Sequence, residues 1–421
     1  VSNNGKLTPR LRFPEFAGEP LRQFRLGDVT EDCTGRNGKG VASAPIMGVS
    51  KTDGIVPMEE RLIGKDTARY KCLETNWFAY NPMRLNIGSI ARWNGDGDVL
   101  VSPDYVVFRC VTEREPSVNP DYLDHFRCSD QWERFVGGSG DGGVRIRIYY
   151  KDLAQLPITL PSPAEQQKIA DCLSSLDELI AAEGQKLESL RTYKNGLMQQ
   201  LFPSDGESVP RLRFPEFRKA GDWEEKRVDE CGEVLAGKAL AVNAAGPLRP
   251  YLRTKNVLDG RIDLSDVLTM PMTDAEFSRF EILDGDILLN EGQSVELVGR
   301  TSIYRGEFRQ RCAMQNQLLR FRAFASTCPE FAAQAFRQCQ KDGTFARIAT
   351  QTTSVAHLGS TRFSTLALSW PPSLVEQQHI AACLSSLDEL LAAASRKIES
   401  LKDHKKGLMQ QLFPWAGEGE A

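Results

Sequence analysis

Residues 165–179 read Glu165-Gln166-Gln167-Lys168-Ile169-Ala170-Asp171-Cys172-Leu173-Ser174-Ser175-Leu176-Asp177-Glu178-Leu179, and residues 376–390 read Glu376-Gln377-Gln378-His379-Ile380-Ala381-Ala382-Cys383-Leu384-Ser385-Ser386-Leu387-Asp388-Glu389-Leu390. The offset is 211 residues, and the same offset carries Gly196-Leu197-Met198-Gln199-Gln200-Leu201-Phe202-Pro203 onto residues 407–414. Upstream, Pro9-Arg10-Leu11-Arg12-Phe13-Pro14-Glu15-Phe16 recurs as Pro210-Arg211-Leu212-Arg213-Phe214-Pro215-Glu216-Phe217, offset by 201. Self-similarity at a fixed period determines architecture. The chain is two copies of one unit: a short motif, a variable block and a helical block. Between the shared segments, residues 18–155 and 219–365 show little resemblance. A retained scaffold with two diverged inserts points to two different ligands, or two halves of one ligand. Neutral drift would have eroded the helices as well.

The helical blocks carry a seam. In the first copy apolar positions fall at Ile169, Leu173, Leu176, Ile180, Leu187, Leu190, Leu197 and Leu201, with Glu183 and Lys194 in the two gaps. The second reads Ile380, Leu384, Leu387, Leu391, Ala394, Ile398, Leu401, Lys405, Leu408, Leu412. Steps alternating four and three give a period near 3.5, a coiled-coil signature. Each helix is expected to run roughly 38 residues, about 55 Å at 1.5 Å per residue. Pro163 and Pro372 stand near the starts, and Pro203 and Pro414 beyond the ends, positions where proline is tolerated or stops a helix. One such helix cannot bury its stripe alone, so the two are expected to pair within the chain. Antiparallel pairing is expected because it places the variable blocks at opposite ends. Lys194 and Lys405 hold equivalent seam positions, and are expected to set register at a cost in stability.

The variable blocks read as strand-rich. Trp77–Tyr80, Asp98–Val101, Tyr105–Arg109 and Arg145–Tyr149 are strand candidates in the first, and Asp286–Asn290, Gly299–Tyr304 and Gln317–Arg322 in the second. Helices are expected at Pro120–Phe135 and Pro329–Lys341, with turns at Asn94–Gly97 and Leu283–Asp286. The expected class is α/β (α+β): two mixed globular domains separated by two long antiparallel coiled-coil helices, in a pseudo-twofold internal repeat.

Composition excludes several function classes. Of 421 residues, 41% are hydrophobic and 26% charged, as in an ordinary globular protein of two to three domains. No run of 18 apolar residues suggests a membrane span, and residues 1–10 lack the apolar core of a signal peptide. The ten cysteines form no C-x-x-C pair, so free thiols in a reducing cytoplasm are expected rather than a zinc ribbon or disulfide framework. Four histidines, His125, His357, His379 and His404, form no H-E-x-x-H, and no metal is expected. No Walker A loop is present. The run Gly137–Gly143 lacks the strand-before, helix-after setting of a phosphate loop. Ser102-Pro103-Asp104-Tyr105 loosely suggests an amino-methyltransferase motif, but no AdoMet loop precedes it.

Charge is uneven beneath a net −4. Residues 164–202 hold six acidic and four basic side chains. Basic residues gather at Arg61, Lys65, Arg69, Lys71, Arg84 and Arg92, and again at Arg300, Arg305, Arg309, Arg311, Arg320 and Arg322. Arginine suits bidentate recognition of phosphate or guanine, and the nearby amides Gln293, Gln315, Asn316 and Gln317 suit adenine. A near-neutral chain is expected to bind DNA weakly on its own.

These segments resemble the specificity subunit of type I restriction–modification systems, over roughly residues 9–414. The resemblance rests on Pro163-Ala164-Glu165-Gln166-Gln167-Lys168-Ile169-Ala170, on Lys194–Phe202 with Lys405–Phe413, on Arg12-Phe13-Pro14-Glu15-Phe16 with its repeat, on Asp286–Gly292 with Glu296–Arg300, and on Asn81–Arg84 with Ser102–Tyr105. One departure is Ser373-Leu374-Val375-Glu376 at the second helix start, where proline is missing, so capping there is open. The resemblance implies a target-recognition domain at 1–160, a spacer helix at 161–203, a second target-recognition domain at 204–370, and a second spacer helix with tail at 371–421. It implies that each domain reads half of a split, asymmetric site in double-stranded DNA. The helices would set the spacer and dock two AdoMet-dependent modification (methyltransferase) subunits. Motor-nuclease restriction subunits would join them. The chain would be non-catalytic, with no cofactor of its own; AdoMet, ATP and Mg would sit on partners. Its place would be the bacterial or archaeal cytoplasm, without membrane contact, on the nucleoid when bound to DNA. The expected DNA-binding residues are Asn86, Arg92, Arg145 and Arg147 in the first domain, and Gln293, Arg300, Gln315, Asn316 and Arg362 in the second. The competing readings are a fused reader-and-modifier enzyme, which would need the missing AdoMet loop, and a coiled-coil adaptor without base readout.

Overall fold

The structure, a computed structural model, describes residues 9–38, 44–138, 147–204, 206–239, 244–351 and 355–413. It divides into two compact units, residues 1–184 with 396–421, and residues 185–395. The divisions fall inside the two long helices, Pro163–Leu201 and Leu374–Leu412, each of 39 residues. Each unit therefore contains one variable block and part of both helices.

In the first unit the central sheet has the order Thr30–Asp32, Val106–Cys110, Phe78–Tyr80, Ile90–Arg92, antiparallel throughout. A second sheet runs Gly54–Pro57, Ile46–Ser50, Val99–Val101, Lys71–Leu73, with one parallel pair, Ile46–Ser50 beside Val99–Val101. Successive strand residues point to opposite faces. Phe78, Tyr80 and Phe108 accordingly enter one core, and Ala79 and Val107 another, with Met47, Leu73, Val99 and Val101. Burial on both faces explains why these strands read as unbroken apolar runs. The larger core is completed by Ile169, Ala170 and Leu173 from one long helix and Met409 and Leu412 from the other, with Phe413 just beyond its end. Phe413 meets Tyr122 and Phe126 edge-on at 5.3 and 5.6 Å.

The second unit repeats this plan. Its central sheet is Gly232–Ala236, Leu318–Ala323, Ile287–Asn290, Thr301–Ile303, again antiparallel. The chain order across the sheet, first-fourth-second-third, is the same in both units. Ile287 and Leu289 face one core and Leu288 the other. Beside it, Leu248–Leu252 pairs antiparallel with Leu268–Pro271 and parallel with Ala313–Met314. Met198, Leu201, Ile380, Ala381 and Leu384 supply the long-helix share of the core, with Phe202 just beyond the first helix's end. The blocks lack sequence likeness yet share topology, because period-two burial specifies a sheet without specifying residues.

An antiparallel strand pair closes each block, Arg22–Arg25 with Pro157–Leu160 and Glu224–Arg227 with Ala367–Trp370. Each long helix follows directly. Ser162 Oγ accepts from the Glu165 amide at 3.4 Å and Ser373 Oγ from the Glu376 amide at 3.5 Å. Serine thus supplies the N-cap in both copies, and the missing proline at the second start leaves capping intact. Within the first unit the helix segments are antiparallel: Lys405 donates to Asp177 at 2.5 Å, and Lys397, eight residues earlier, to Glu183, six residues later. Every apolar seam residue named above is buried or partly buried, from Ile169 to Leu201 and from Ile380 to Leu412.

Two local expectations change. Pro120–Phe135 is two helices, Pro120–Phe126 and Asp130–Gly138. The chain turns at Ser129, whose amide bonds Phe126 O at 2.9 Å and whose hydroxyl accepts from the Trp132 amide at 3.4 Å. The candidate strand Arg145–Tyr149 is irregular where described, and a short helix begins at Tyr150. Its alternation imitates a strand, but buried Ile148 bonds Pro82 O through its amide. Arg145 and Pro414 lie outside the described residues.

Candidate nucleic-acid interface

The shared motifs fasten each unit internally. Arg12 bonds both oxygens of Glu165 and gives its remaining nitrogen to Glu19 O at 2.8 Å. Arg213 repeats this with Glu376, at 2.6 and 2.8 Å, and with Gly221 O at 2.6 Å. The forked guanidinium matches the carboxylate in both copies. The following glutamines hold the start of each block's helix: Gln166 Oε1 accepts from the Asn119 amide at 2.9 Å and Gln377 Oε1 from the Cys328 amide at 2.8 Å. Leu11 N bonds Gln411 O at 3.0 Å and Leu212 N bonds Gln200 O at 2.9 Å. Sequence reading missed these roles because each partner is remote along the chain.

In the first unit, Asn86 and Arg147 come together on one exposed surface. Asn86 lies on the turn Leu85–Ile87, closed by Gly88 in the left-handed conformation at φ 92°. Lys51 lies against that glycine, where a Cβ would stand 3.4 Å from its Cγ. The bond from Ile148 N to Pro82 O, 3.0 Å, brings the Arg147 segment alongside. Arg84 is exposed on the same loop. So are three large apolar side chains, Met83 (47%), Ile87 (54%) and Tyr149 (44%). Cations, an amide and an apolar rim on one loop surface are the components that contact phosphate and base edges.

Arg92 is placed differently. It bonds Asp121, reaches Asp124 Oδ2 at 3.4 Å and gives NH1 to Asn76 at 2.7 Å, with its side chain 11% exposed. Its head is engaged within the unit.

In the second unit, Gln293 lies on Gly292–Gln293, paired antiparallel with Ala356–His357. The turn carrying Gln315 and Asn316 is adjacent: Glu291 N bonds Gln317 O at 2.9 Å, and Asn316 N bonds Lys238 O at 2.9 Å. A Cβ on Gly292 would fall 2.4 Å from Gln317 Oε1 and 3.2 Å from the His357 ring, so a larger residue there would have to displace the Gln317 side chain. Gln293, Gln315, Asn316, Gln317 and His357 are all partly exposed. His357 was not expected here. Burial raises the Glu291 carboxyl pKa, and His357 opposes it. Arg300 gives Nε to Val257 O at 3.1 Å, and exposed Arg362 gives NH1 to Ile348 O at 2.8 Å.

Four of the six arginines of the second cluster are ion-paired. Arg305 pairs with Glu330, Arg311 with Glu281, Arg320 with Glu233 and Arg322 with Asp286. Arg320 is buried, whereas Arg305, Arg309 and Arg311 remain exposed, so much of the cluster's charge is compensated by neighbouring carboxylates. In the first cluster Lys71 donates to Tyr105 O at 2.6 Å, while Lys65, Arg69 and Arg84 are exposed.

All ten cysteines are free thiols, and burial pushes Cys33, Cys231 and Cys312 up to about 11, against the thiolate a nucleophile needs. Among the described residues no group of His, Cys, Asp or Glu could hold a metal, and no helix is long and apolar enough to cross a membrane.

Known proteins share this organisation. A family model, the type I restriction modification DNA specificity domain, matches residues 95–192 and 220–403. The putative type I restriction enzyme MjaX specificity subunit of Methanocaldococcus jannaschii is 26% identical over 194 residues. That stretch is 46% of this chain and 45% of the relative, so less than half of that protein is spanned. The type I restriction enzyme EcoKI specificity subunit of Escherichia coli K12 is 20% identical over 313 residues, 74% of this chain and 67% of that one. Among solved structures, the type I restriction-modification S subunit from M. genitalium superposes with a TM-score of 0.59 at 14% identity, covering 97% of this chain and 100% of that one. A chain solved in work on complex assembly and conformational transition of the type I R-M system gives 0.57 at 17% identity, covering 94% and 98%. At these identities the superpositions establish the fold. The family match, which spans more than half of the residues, shows that the chain belongs to the type I restriction–modification DNA specificity family.

Proposed function

We propose that the chain is the sequence-reading, non-catalytic subunit of a type I restriction–modification assembly, and that each unit reads one half of a bipartite site in double-stranded DNA. The observation that carries this reading is the pair of central sheets with one strand order and unlike surface loops. One plan with two side-chain sets suits two different half-sites. Backbone contacts position a protein on DNA and base contacts specify the sequence. In the first unit Lys51, Arg84 and Arg147 serve the phosphates, and Asn86 a base edge. In the second, Gln293, Gln315, Asn316 and Arg362 face the DNA, with Gln317 and His357 added to the set. Arg92 and Arg300 support these loops from within. Arg145 remains a proposed contact on sequence grounds.

The long helices set the distance between the half-sites and dock two modification subunits that carry AdoMet and methylate adenine. Motor-nuclease subunits add restriction. The assembly works in the cytoplasm on chromosomal or invading DNA. Footprinting of the chain with its modification subunit on genomic fragments tests the reading. Two protected half-sites at a constant gap support it. No footprint favours a protein-only adaptor and contradicts it.

A further inference from the structure

The repeat-related carboxylates Asp177 and Asp388 each accept a bond from a seam lysine, Lys405 and Lys194 respectively, at 2.5 Å. Beyond that bond the units differ. Asp388 also receives Gln334 Nε2 at 2.8 Å and Arg337 NH1 at 2.8 Å, both from the helix Pro329–Lys341. The amides held by the repeated glutamines, Asn119 and Cys328, align the helices Pro120–Phe126 and Pro329–Lys341. Counted from them, His125 matches Gln334 and Cys128 matches Arg337. His125 bonds Ser174 Oγ at 3.0 Å and lies 3.9 Å from Asp177, while the Cys128 thiol turns to Asp124 O at 3.9 Å. Among the described residues of the first unit, no arginine bridges to Asp177 at this place.

Arg337 continues past Asp388. Its Nε is 3.7 Å from Asp259 Oδ1, and its guanidinium fills the space beside Gly260, where a Cβ would stand 2.4 Å from NH2. Gly260, at φ 70°, closes the hairpin Val257–Leu258/Arg261–Ile262. That hairpin holds the candidate reading loop. Val257 O accepts from Asn290 Nδ2 at 3.2 Å and Arg300 Nε at 3.1 Å, and Gly260 N bonds Thr301 O at 3.0 Å. The Arg337–Asp388 hydrogen bond, the 3.7 Å Arg337–Asp259 ion pair and the hairpin's own hydrogen bonds therefore link the long helix, at Asp388, to both ends of residues 290–301.

We propose that Arg337 is a positioning residue: by bridging Asp388 and the Asp259–Gly260 turn it fixes the 290–301 loop on the second unit's share of the long helices, and so sets the gap at which the second half-site is accepted. This rests on the bipartite reading above. Charge-assisted contacts are stronger than neutral ones, and a site displaced by about 1 Å loses much of its efficiency.

The test uses the complete methyltransferase assembly on duplexes carrying both half-sites at the wild-type gap, or one base pair shorter or longer. The wild type is expected to prefer one gap strongly. Arg337→Met is expected to reduce the preference for that gap over its neighbours about tenfold, with relaxation confined to spacing and not to base identity. Asp259→Asn, at a carboxylate 60% exposed, is expected to shift the profile in the same direction and covers the case that Arg337→Met does not fold. Unchanged gap preference in both variants, or a uniform loss at every gap, overturns the proposal. A wild-type assembly that methylates no two-part site overturns the bipartite reading itself, and the wild-type sample alone distinguishes that outcome.

Discussion

Arg213 and Glu376, 163 residues apart in sequence, form a two-bond fork in which the carboxylate is fully buried and the guanidinium side chain 6% exposed. Trp223 Nε1 adds a third bond to the same carboxylate at 3.3 Å. Removing one partner of a buried ion pair leaves the other uncompensated, at a cost of about 3–5 kcal/mol. Glu376→Ala is therefore expected to lower the unfolding midpoint of the second unit, measured by calorimetry on the full chain. The double variant Arg213→Met/Glu376→Leu is expected to recover much of the loss. Equal losses in the single and double variants would show that the fork contributes little beyond packing.

Phe413 and Phe202 close the cores of the first and second units respectively. Phe→Ala in a packed core costs about 3–5 kcal/mol. Phe413→Ala is expected to destabilise the first unit alone, and Phe202→Ala the second. Hydrogen exchange by segment checks this. Loss of protection in both units from either substitution would contradict it.

Surface and buried arginines of the first unit separate by their response. Arg84→Ala removes an exposed cation and is expected to lower the salt dependence of DNA affinity by about one counterion, with no change in stability. Asn86→Ala is expected to relax discrimination at one base by about 1–3 kcal/mol. Arg92→Ala removes bonds to Asp121, Asp124 and Asn76, and is expected to cost about 1.5–3 kcal/mol of stability. Salt-series binding and thermal melts distinguish the three. A salt slope unaltered by Arg84→Ala would take the 81–89 loop off the DNA.

Burial would raise the Asp388 carboxyl, but Arg337, followed by Lys194 and Gln334, outweighs it and holds the group below the ordinary carboxylate value. A carboxylate depressed in the folded state adds stability that is present above its unfolded value and lost as pH falls below it. Asp388→Asn is expected to flatten the acid limb of the second unit's stability below about pH 4. Parallel acid limbs for wild type and variant would remove Asp388 from the account.

The seam from Ile169 to Leu412 was legible because a heptad pattern depends on spacing alone. Strands such as Ile287–Asn290 were legible because both faces are buried and the apolar run is unbroken. The arginines misled because their partners are distant in sequence: Arg320 meets Glu233 87 residues away, and Arg322 meets Asp286 36 away. Local charge counting sees the cation and misses the carboxylate. The same distance concealed the role of Arg12 and Arg213, whose motif recurs visibly but whose grip on Glu165 and Glu376 appears only in three dimensions. Shared topology of the two blocks was hidden because strand order follows from which edges pair, and no local pattern records that. Gln293, Gln315 and Asn316 were named from residue type, whereas His357 is brought beside Gly292 by a strand pairing with no local signature.

The central claim is that two units on one chain read two halves of one DNA site. The most direct measurement is methylome sequencing of cells that express this chain with its modification subunit, compared with cells lacking the chain. The account predicts a new adenine-methylated motif in two parts with a constant gap, degenerate only in its first part with Asn86→Ala and only in its second with Gln293→Ala. A continuous motif, no chain-dependent methylation, or loss of both parts together from either substitution would contradict it.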